Sequence, residues 1–359
     1  MELPTQLKNH LFSGTVIPAH PLALDAERQL DEFRQRLLTR YYVASGSGGI
    51  AVGVHTTQFE IRKPEINLYE KVLSLAADEV DKINPNRPFI KVAGVSGPTD
   101  QAIEEALIAK KLGYDIVLVS INGLGSWSEN GLLDRAREIG KHMPLFGFYL
   151  QPSVGGKVLS ERFWCDFAEI EGVSAIKVAP FNRYQTIEVV RAVCQSSRND
   201  EVAIYTGNDD NILIDLLTTY EIKTSKGNIH KDIVGGLLGH WAVWTKKAVD
   251  LLHRVKEIKS QGTLINMELL TENVKITDSN AALFDTKNNF KGCIAGIHEV
   301  LRRQGLLEGI WCINPRETIS EGQSDEIDRI YHDYPELTDD LFVKKHIENW
   351  KKEVEISMK

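Results

Sequence analysis

The chain has 359 residues, 42% of them hydrophobic, enough for one barrel with extensions or for two ordinary domains. Its formal charge of −8, with Lys and Arg scattered, leaves no basic footprint for a nucleic acid, and no apolar run approaches the roughly 18 residues of a membrane span. The four cysteines, Cys165, Cys194, Cys293 and Cys312, form no CxxC pair or disulfide framework, and MELPTQLKNH at the start is no secretory signal, so a reducing cytoplasm is the expected setting.

Residues 12–18, FSGTVIP, read as a first strand closed by Pro18 and Pro21. Residues 25–42 repeat apolar positions at Leu30, Phe33, Leu37 and Leu38, which is helical spacing, with Asp25 as the N-cap. SGSGG (45–49) is a turn cluster; it matches a dinucleotide fingerprint only formally, because it precedes a strand instead of following one. IAVGVHTT (50–57) is a second strand, followed by a helix over about 65–83. Further strands are expected at 89–96, 115–121, 145–150, 173–179 and 201–207, each followed by a helix. The last of these helices covers 211–220. A polar insertion, KTSKGNIHK (223–231), then leads to an eighth strand or turn at 232–239 and a helix from Trp241. Eight strand–helix alternations over about 250 residues predict a parallel α/β fold, a (β/α)8 TIM barrel over residues 1–262. A doubly wound open sheet is the competing architecture, but it does not call for eight repeats. Residues 263–359 read as a C-terminal helical extension punctuated by Pro315 and Pro335.

The strand over 173–179 carries Lys177 inside an apolar run. Alternation puts Ala175, Lys177 and Ala179 on one face, and on the strand over 145–150 it puts Gly147 with Tyr149, opposite Phe146 and Phe148. The bulky phenylalanines then suit the covering helices, and the smaller face with its lysine and phenol suits the barrel interior. A desolvated lysine favours its neutral form; lowering its pKa from about 10.4 to roughly 7–8 makes a nucleophile whose natural product with a carbonyl is a Schiff base. The competing reading is a strand-end lysine that snorkels to solvent.

Barrel active sites sit at the carboxyl ends of the strands. Collected there are His55, Thr56 and Thr57, then Tyr149, Lys177, Gly207, Asn208 and Gly235. The phenol can move protons as a carbinolamine forms and dehydrates, and hydroxyl and backbone N–H groups can hold a carboxylate. Competing readings are strand-end capping for the threonines and a core aromatic for Tyr149. Asp209 and Asp210 read as a helix cap, because no metal-ligand spacing accompanies them.

GTVIPAHP (14–21), HTTQ (55–58), YLQPSVGG (149–156), AIKVA (175–179) and YTGNDD (205–210), in this order and with 28 residues from Tyr149 to Lys177, resemble the dihydrodipicolinate synthase / N-acetylneuraminate lyase family, the class I pyruvate-type aldolases. The resemblance covers residues 12–260. It implies an imine between Lys177 and a 2-keto acid, proton relay by Tyr149 and Thr56, a carboxylate held by Thr57, no cofactor, and a homo-oligomer, tetramer or dimer. The chain departs from the family pattern where His55 and Gln58 replace loop glycines, where an arginine gives way near Val154, and where NGLGSWS lacks a tyrosine. The expected function is a Schiff-base-forming lyase, aldolase or related dehydratase acting on pyruvate or a 2-keto-3-deoxy acid, with the second substrate open. The alternative is a barrel that has lost its chemistry and serves as a keto-acid-binding or assembly module.

Overall fold

The computed structural model describes residues 1–262 and 265–359. The expected start of the C-terminal extension, at residues 263 and 264, lies outside the described residues.

The strands are β1 (Val16–Pro18), β2 (Gly49–Val52), β3 (Ile90–Val95), β4 (Ile116–Val119), β5 (Leu145–Leu150), β6 (Val173–Ala179), β7 (Ala203–Thr206), β8 (Thr219–Thr224) and β9 (Gly227–Leu238). The helices are α1 (Thr5–Ser13), α2 (Glu32–Ala44), α3 (Tyr69–Ile83), α4 (Thr99–Lys111), α5 (Glu129–Gly140), α6 (Glu161–Ala168), α7 (Arg183–Gln195), α8 (Ile212–Leu217), α9 (Thr245–Gln261), α10 (Glu268–Leu283), α11 (Cys293–Arg303), α12 (Gln323–Asp333) and α13 (Asp340–Ser357). The sheet order is β1-β9-β7-β6-β5-β4-β3-β2, with β8 off the path and antiparallel to β9. This is a (β/α)8 barrel. Strands β4 to β7 are buried along their whole length, as expected for parallel strands with side chains packed on both faces. Helix starts follow local chemistry: the side chains of Asp31, Ser128, Ser160 and Asn182 accept from the backbone N–H of Arg34, Gly131, Phe163 and Gln185. Among the described residues no helix is long and apolar enough to cross a membrane.

Several boundaries differ from those read in the sequence. Phe12 and Ser13 end helix α1 instead of opening a strand, and Gly14, at φ 79°, turns the chain into β1. A side chain at Gly14 would run into the backbone of Val234. Asp25 caps no helix; its carboxylate accepts from Gln29 N at 2.8 Å in a turn, and Asp31 starts α2 instead. The second strand stops at Val52, and His55–Thr57 form a 3-10 turn. The polar insertion is a β-hairpin, with Thr219 opposite Asp232 and Thr224 opposite Gly227. Its alternation of half-buried and exposed positions is a strand period that the lysines had masked.

By contacts the chain divides into two units, Met1–Thr15 with Ile90–Leu237, and Val16–Phe89 with Leu238–Lys359. In the first, consecutive parallel ladders join β3 through β7 to β9. The Tyr205 hydroxyl donates to Leu11 O at 2.7 Å, which anchors α1. In the second, β1 and β2 pair through the parallel bridge Ala19–Ala51, with His20 N donating to Ala51 O at 2.8 Å. The helices of this unit meet at Asp339, just before α13. Its carboxylate accepts from Tyr41 Oη (2.7 Å), Lys246 N (3.1 Å) and Gln304 Nε2 (2.8 Å), which come from α2, from α9 and from the residue after α11. Removing one buried charged acceptor shared by three donors, two of them buried, costs roughly 3 kcal/mol. Asp339→Ala is therefore expected to lower the chain's unfolding free energy by about that amount, measured by guanidinium titration at neutral pH.

Candidate functional site

The site is built on β5, β6 and β7, whose register decides which side chains share a face. Phe146 is opposite Ala175, and Ala175 opposite Ala203; Phe148 is opposite Lys177, and Lys177 opposite Tyr205. Tyr205 is in turn opposite Gly235 on β9. The other face belongs to the helices. A side chain at Gly147 would come within 2.6 Å of the Phe167 ring of α6, and the Tyr149 ring lies tilted against that of Trp164 of the same helix, 5.1 Å between centroids. Lys177 therefore points into the barrel, as the alternation predicts, but its neighbours there are Phe146, Phe148 and Tyr205. This reverses the expected facing of β5. Both faces of the strand are buried, so bulk alone does not choose between them; Gly147 is required where α6 packs close, and the phenylalanines fill the interior layers.

Lys177 is 7% exposed, and its Nζ lies 4.3 Å from the centroid of the Phe148 ring. Burial lowers the amine pKa from 10.5 to about 8, against the opposing pull of the Asp209 carboxylate. Space for the lysine depends on Gly207. Its N–H continues the ladder to Val178 O at 2.7 Å, and a Cβ there would collide with Lys177 Cε and Ala179 Cβ. Two residues on, Asp209 is 5% exposed, and its N–H closes back on Gly207 O at 3.1 Å. Asn208 fixes this turn. Its Oδ1 accepts from Phe181 N (3.1 Å), and its Nδ2 donates to Thr186 Oγ1 (3.2 Å) and to Asp215 Oδ2 (2.9 Å). Asp215, buried on α8, also accepts from Thr206 Oγ1 (2.7 Å) and Asn211 Nδ2 (3.2 Å) and pairs with Arg183.

The remaining residues collected from the sequence fall differently. The Tyr149 hydroxyl is held by the backbone of Leu159, donating to its O at 3.4 Å and accepting from its N at 3.3 Å, on the sheet face opposite Lys177. Thr56 and Thr57 lie in the second unit. Thr56 Oγ1 donates to Ala19 O at 2.8 Å, and Thr57 Oγ1 donates to His20 O at 2.7 Å while accepting from Gly53 N at 3.0 Å. Both hydroxyls thus tie the turn after β2 to the chain after β1. His55 is half-buried, its ring 6.2 Å from that of Phe59. Gly235 admits no side chain: a Cβ would lie 2.5 Å from Thr15 O and 2.8 Å from the Tyr205 ring. Asp209, read from the sequence as a cap, is the carboxylate whose charge opposes the effect of burial on the amine.

No protein-family model and no curated protein matches this chain. Solved structures do. A dihydrodipicolinate synthase from Oceanobacillus iheyensis aligns at TM-score 0.72 and 17% identity, covering 92% of this chain and 99% of its own. N-acetylneuraminate lyase from Fusobacterium nucleatum, complexed with pyruvate, aligns at TM-score 0.69 and 17% identity, covering 90% of this chain and 97% of its own. A prophage protein of the dihydrodipicolinic acid synthase family from E. coli K12, also in complex with pyruvate, aligns at TM-score 0.71 and 17% identity over 90% of this chain and 98% of its own. The chain has their fold. The motif resemblance is thus also a likeness in three dimensions, at an identity that carries the barrel and not the reaction.

Two expectations follow from the geometry. Tyr149→Phe removes a hydroxyl that serves only the Leu159 backbone, so it should cost about 1 kcal/mol in chemical denaturation and leave the titration of Lys177 unchanged. The folded lysine releases its proton near pH 8 and the unfolded one near 10.5, so stability contributed at this position rises as pH climbs through that window. Relative to Lys177→Met, the wild type should gain about 3 kcal/mol between pH 7.5 and 10.5, compared by paired guanidinium titrations.

Proposed function

We propose that this chain is a divergent member of the dihydrodipicolinate synthase / N-acetylneuraminate lyase family. In this reading it is an imine-forming lyase or aldolase that takes pyruvate, or a 2-keto-3-deoxy acid that yields pyruvate, onto Lys177. The observation that carries the reading is a buried lysine facing the interior of a parallel barrel, with its pKa brought down to about 8 by desolvation. A neutral amine in that position attacks the keto carbon, and loss of water leaves a protonated imine. The protonated imine accepts the electron pair released when the bond one carbon further out breaks, between the carbon next to the imine and the one beyond it, leaving an enamine; the same enamine is the nucleophile of the reverse reaction. Pyruvate bound in two structures of the same fold supports a 2-keto acid as the partner. No step is assigned to Thr56, Thr57 or Tyr149, whose hydroxyl protons are engaged with backbone carbonyls.

The second reading, a keto-acid-binding barrel without turnover, is favoured by one feature: the β5 residue that shares the lysine's face is Phe148, which has no proton to give.

Borohydride reduction in the presence of pyruvate, followed by peptide mapping of the full chain, tests the proposal. The expected result is a reduced adduct on Lys177, lost in Lys177→Ala, with pyruvate released from at least one 2-keto-3-deoxy sugar acid. An adduct on another lysine, or none with any keto acid tried, overturns it. Pyruvate binding undiminished in Lys177→Ala, with no turnover, establishes the second reading.

A further inference from the structure

We infer that Asp209 is the proton-transfer partner of Lys177, held in position by the buried carboxylate of Asp215. The inference rests on the imine reading proposed above and assigns the acid–base group which that reading leaves open.

Imine formation moves protons at three points: off the attacking ammonium, between nitrogen and oxygen of the carbinolamine, and onto the departing hydroxyl. The phenols of β5 and β7 do not serve. Tyr149 lies on the other face of the sheet, and Tyr205, which is on the same face, spends its proton on Leu11 O at 2.7 Å. Asp209 is the carboxylate whose charge acts on the amine, and it is buried where that charge is poorly screened. Its placement is built. Gly207 lies against the lysine stem, the Asp209 N–H returns to Gly207 O, and Asn208 between them is tied to Phe181 N, Thr186 and Asp215. Asp215 receives side chains from Arg183, Thr206, Asn208 and Asn211, so the turn that carries Asp209 is clamped from both sides. Asp215 is a positioning residue; Asp209 is the group assigned to the proton transfers.

One carboxylate balances the sequence. The Lys177 ammonium gives a proton to Asp209, leaving a neutral amine and a carboxylic acid. The nitrogen lone pair bonds to the keto carbon as Asp209 protonates the carbonyl oxygen, whose π bond breaks. The Asp209 carboxylate then removes a proton from the new nitrogen cation, giving a neutral carbinolamine. Asp209 finally protonates the hydroxyl, water leaves with the C–O bonding pair, and the nitrogen lone pair closes the C=N bond. An ammonium and a ketone have become a protonated imine and water, and Asp209 is a carboxylate again.

The test compares wild type, Asp209→Asn and Asp209→Glu as full-length chains, with pyruvate and cyanoborohydride, at pH 7 to 10. Asp209→Asn should slow adduct formation on Lys177 by at least about 100-fold even at pH 10, where the amine is free, and Asp209→Glu should restore part of the rate. NMR of lysine labelled at Cε, with the signal assigned by Lys177→Met, gives a readout that needs no substrate: removing the carboxylate should move the Lys177 midpoint to lower pH. Asp215→Asn, which keeps the side-chain volume, should slow the adduct rate with a smaller effect on that midpoint. An Asp209→Asn chain that reacts as fast as wild type at pH 10 overturns the proton-transfer role while leaving the imine reading intact, and an unmoved midpoint overturns the pairing itself. A wild type that forms no adduct overturns both.

Discussion

An ammonium ion cannot be taken out of water without cost, and the interior of this barrel is arranged around that fact at Lys177. Desolvation biases the side chain toward its neutral form, the Asp209 charge pulls the other way, and the result is an amine with its pKa near 8. The neighbours follow from the same constraint. Gly207 exists as glycine because any Cβ would strike the lysine stem, and Ala175 and Ala203 leave room where Phe146 and Tyr205 stack edge to face at 5.3 Å. Large and small residues alternate through the layers, which is how a closed barrel stays filled without forcing its strands apart.

Each of the two units has a buried carboxylate where several elements meet. In the first it is Asp215, which gathers donors from β7, the turn after it, α7 and the residue before its own helix. In the second it is Asp339, which gathers donors from α2, from the residue following α11 and from α9. A buried carboxylate with every donor in place permits one arrangement of its partners and penalises the others, so these groups act on specificity of the fold as much as on its stability. In the first unit the turn it fixes is the one that carries Asp209, whose charge acts on the buried amine.

Much of this was legible in the order of the residues. Eight apolar strands alternating with amphipathic helices marked the barrel, and a lysine inside a strand of Val, Ile and Ala marked the buried amine. The facing of β5 was not legible. In LFGFYL every residue is apolar or aromatic, and a strand buried on both sides leaves periodicity nothing to discriminate. Gly147 was the discriminating residue, but its reason, the approach of Phe167, exists only once α6 has folded back. The partners of the Thr56 and Thr57 hydroxyls were not legible for a related reason: a threonine at a strand end serves the backbone or a ligand equally well, and the choice depends on where the carbonyls of Ala19 and His20 arrive. Helix α8 was read too long because its final residues already belong to the hairpin.

Local pattern by itself thus determined the architecture and the identity of the buried amine, because side-chain period and burial of apolar strands are properties of consecutive residues. Only the tertiary structure decided which aromatic faces that amine, which carboxylate's charge reaches it and which hydroxyls are already engaged. Those are questions of register between strands far apart in the chain, and a shift of one residue exchanges one face of a strand for the other.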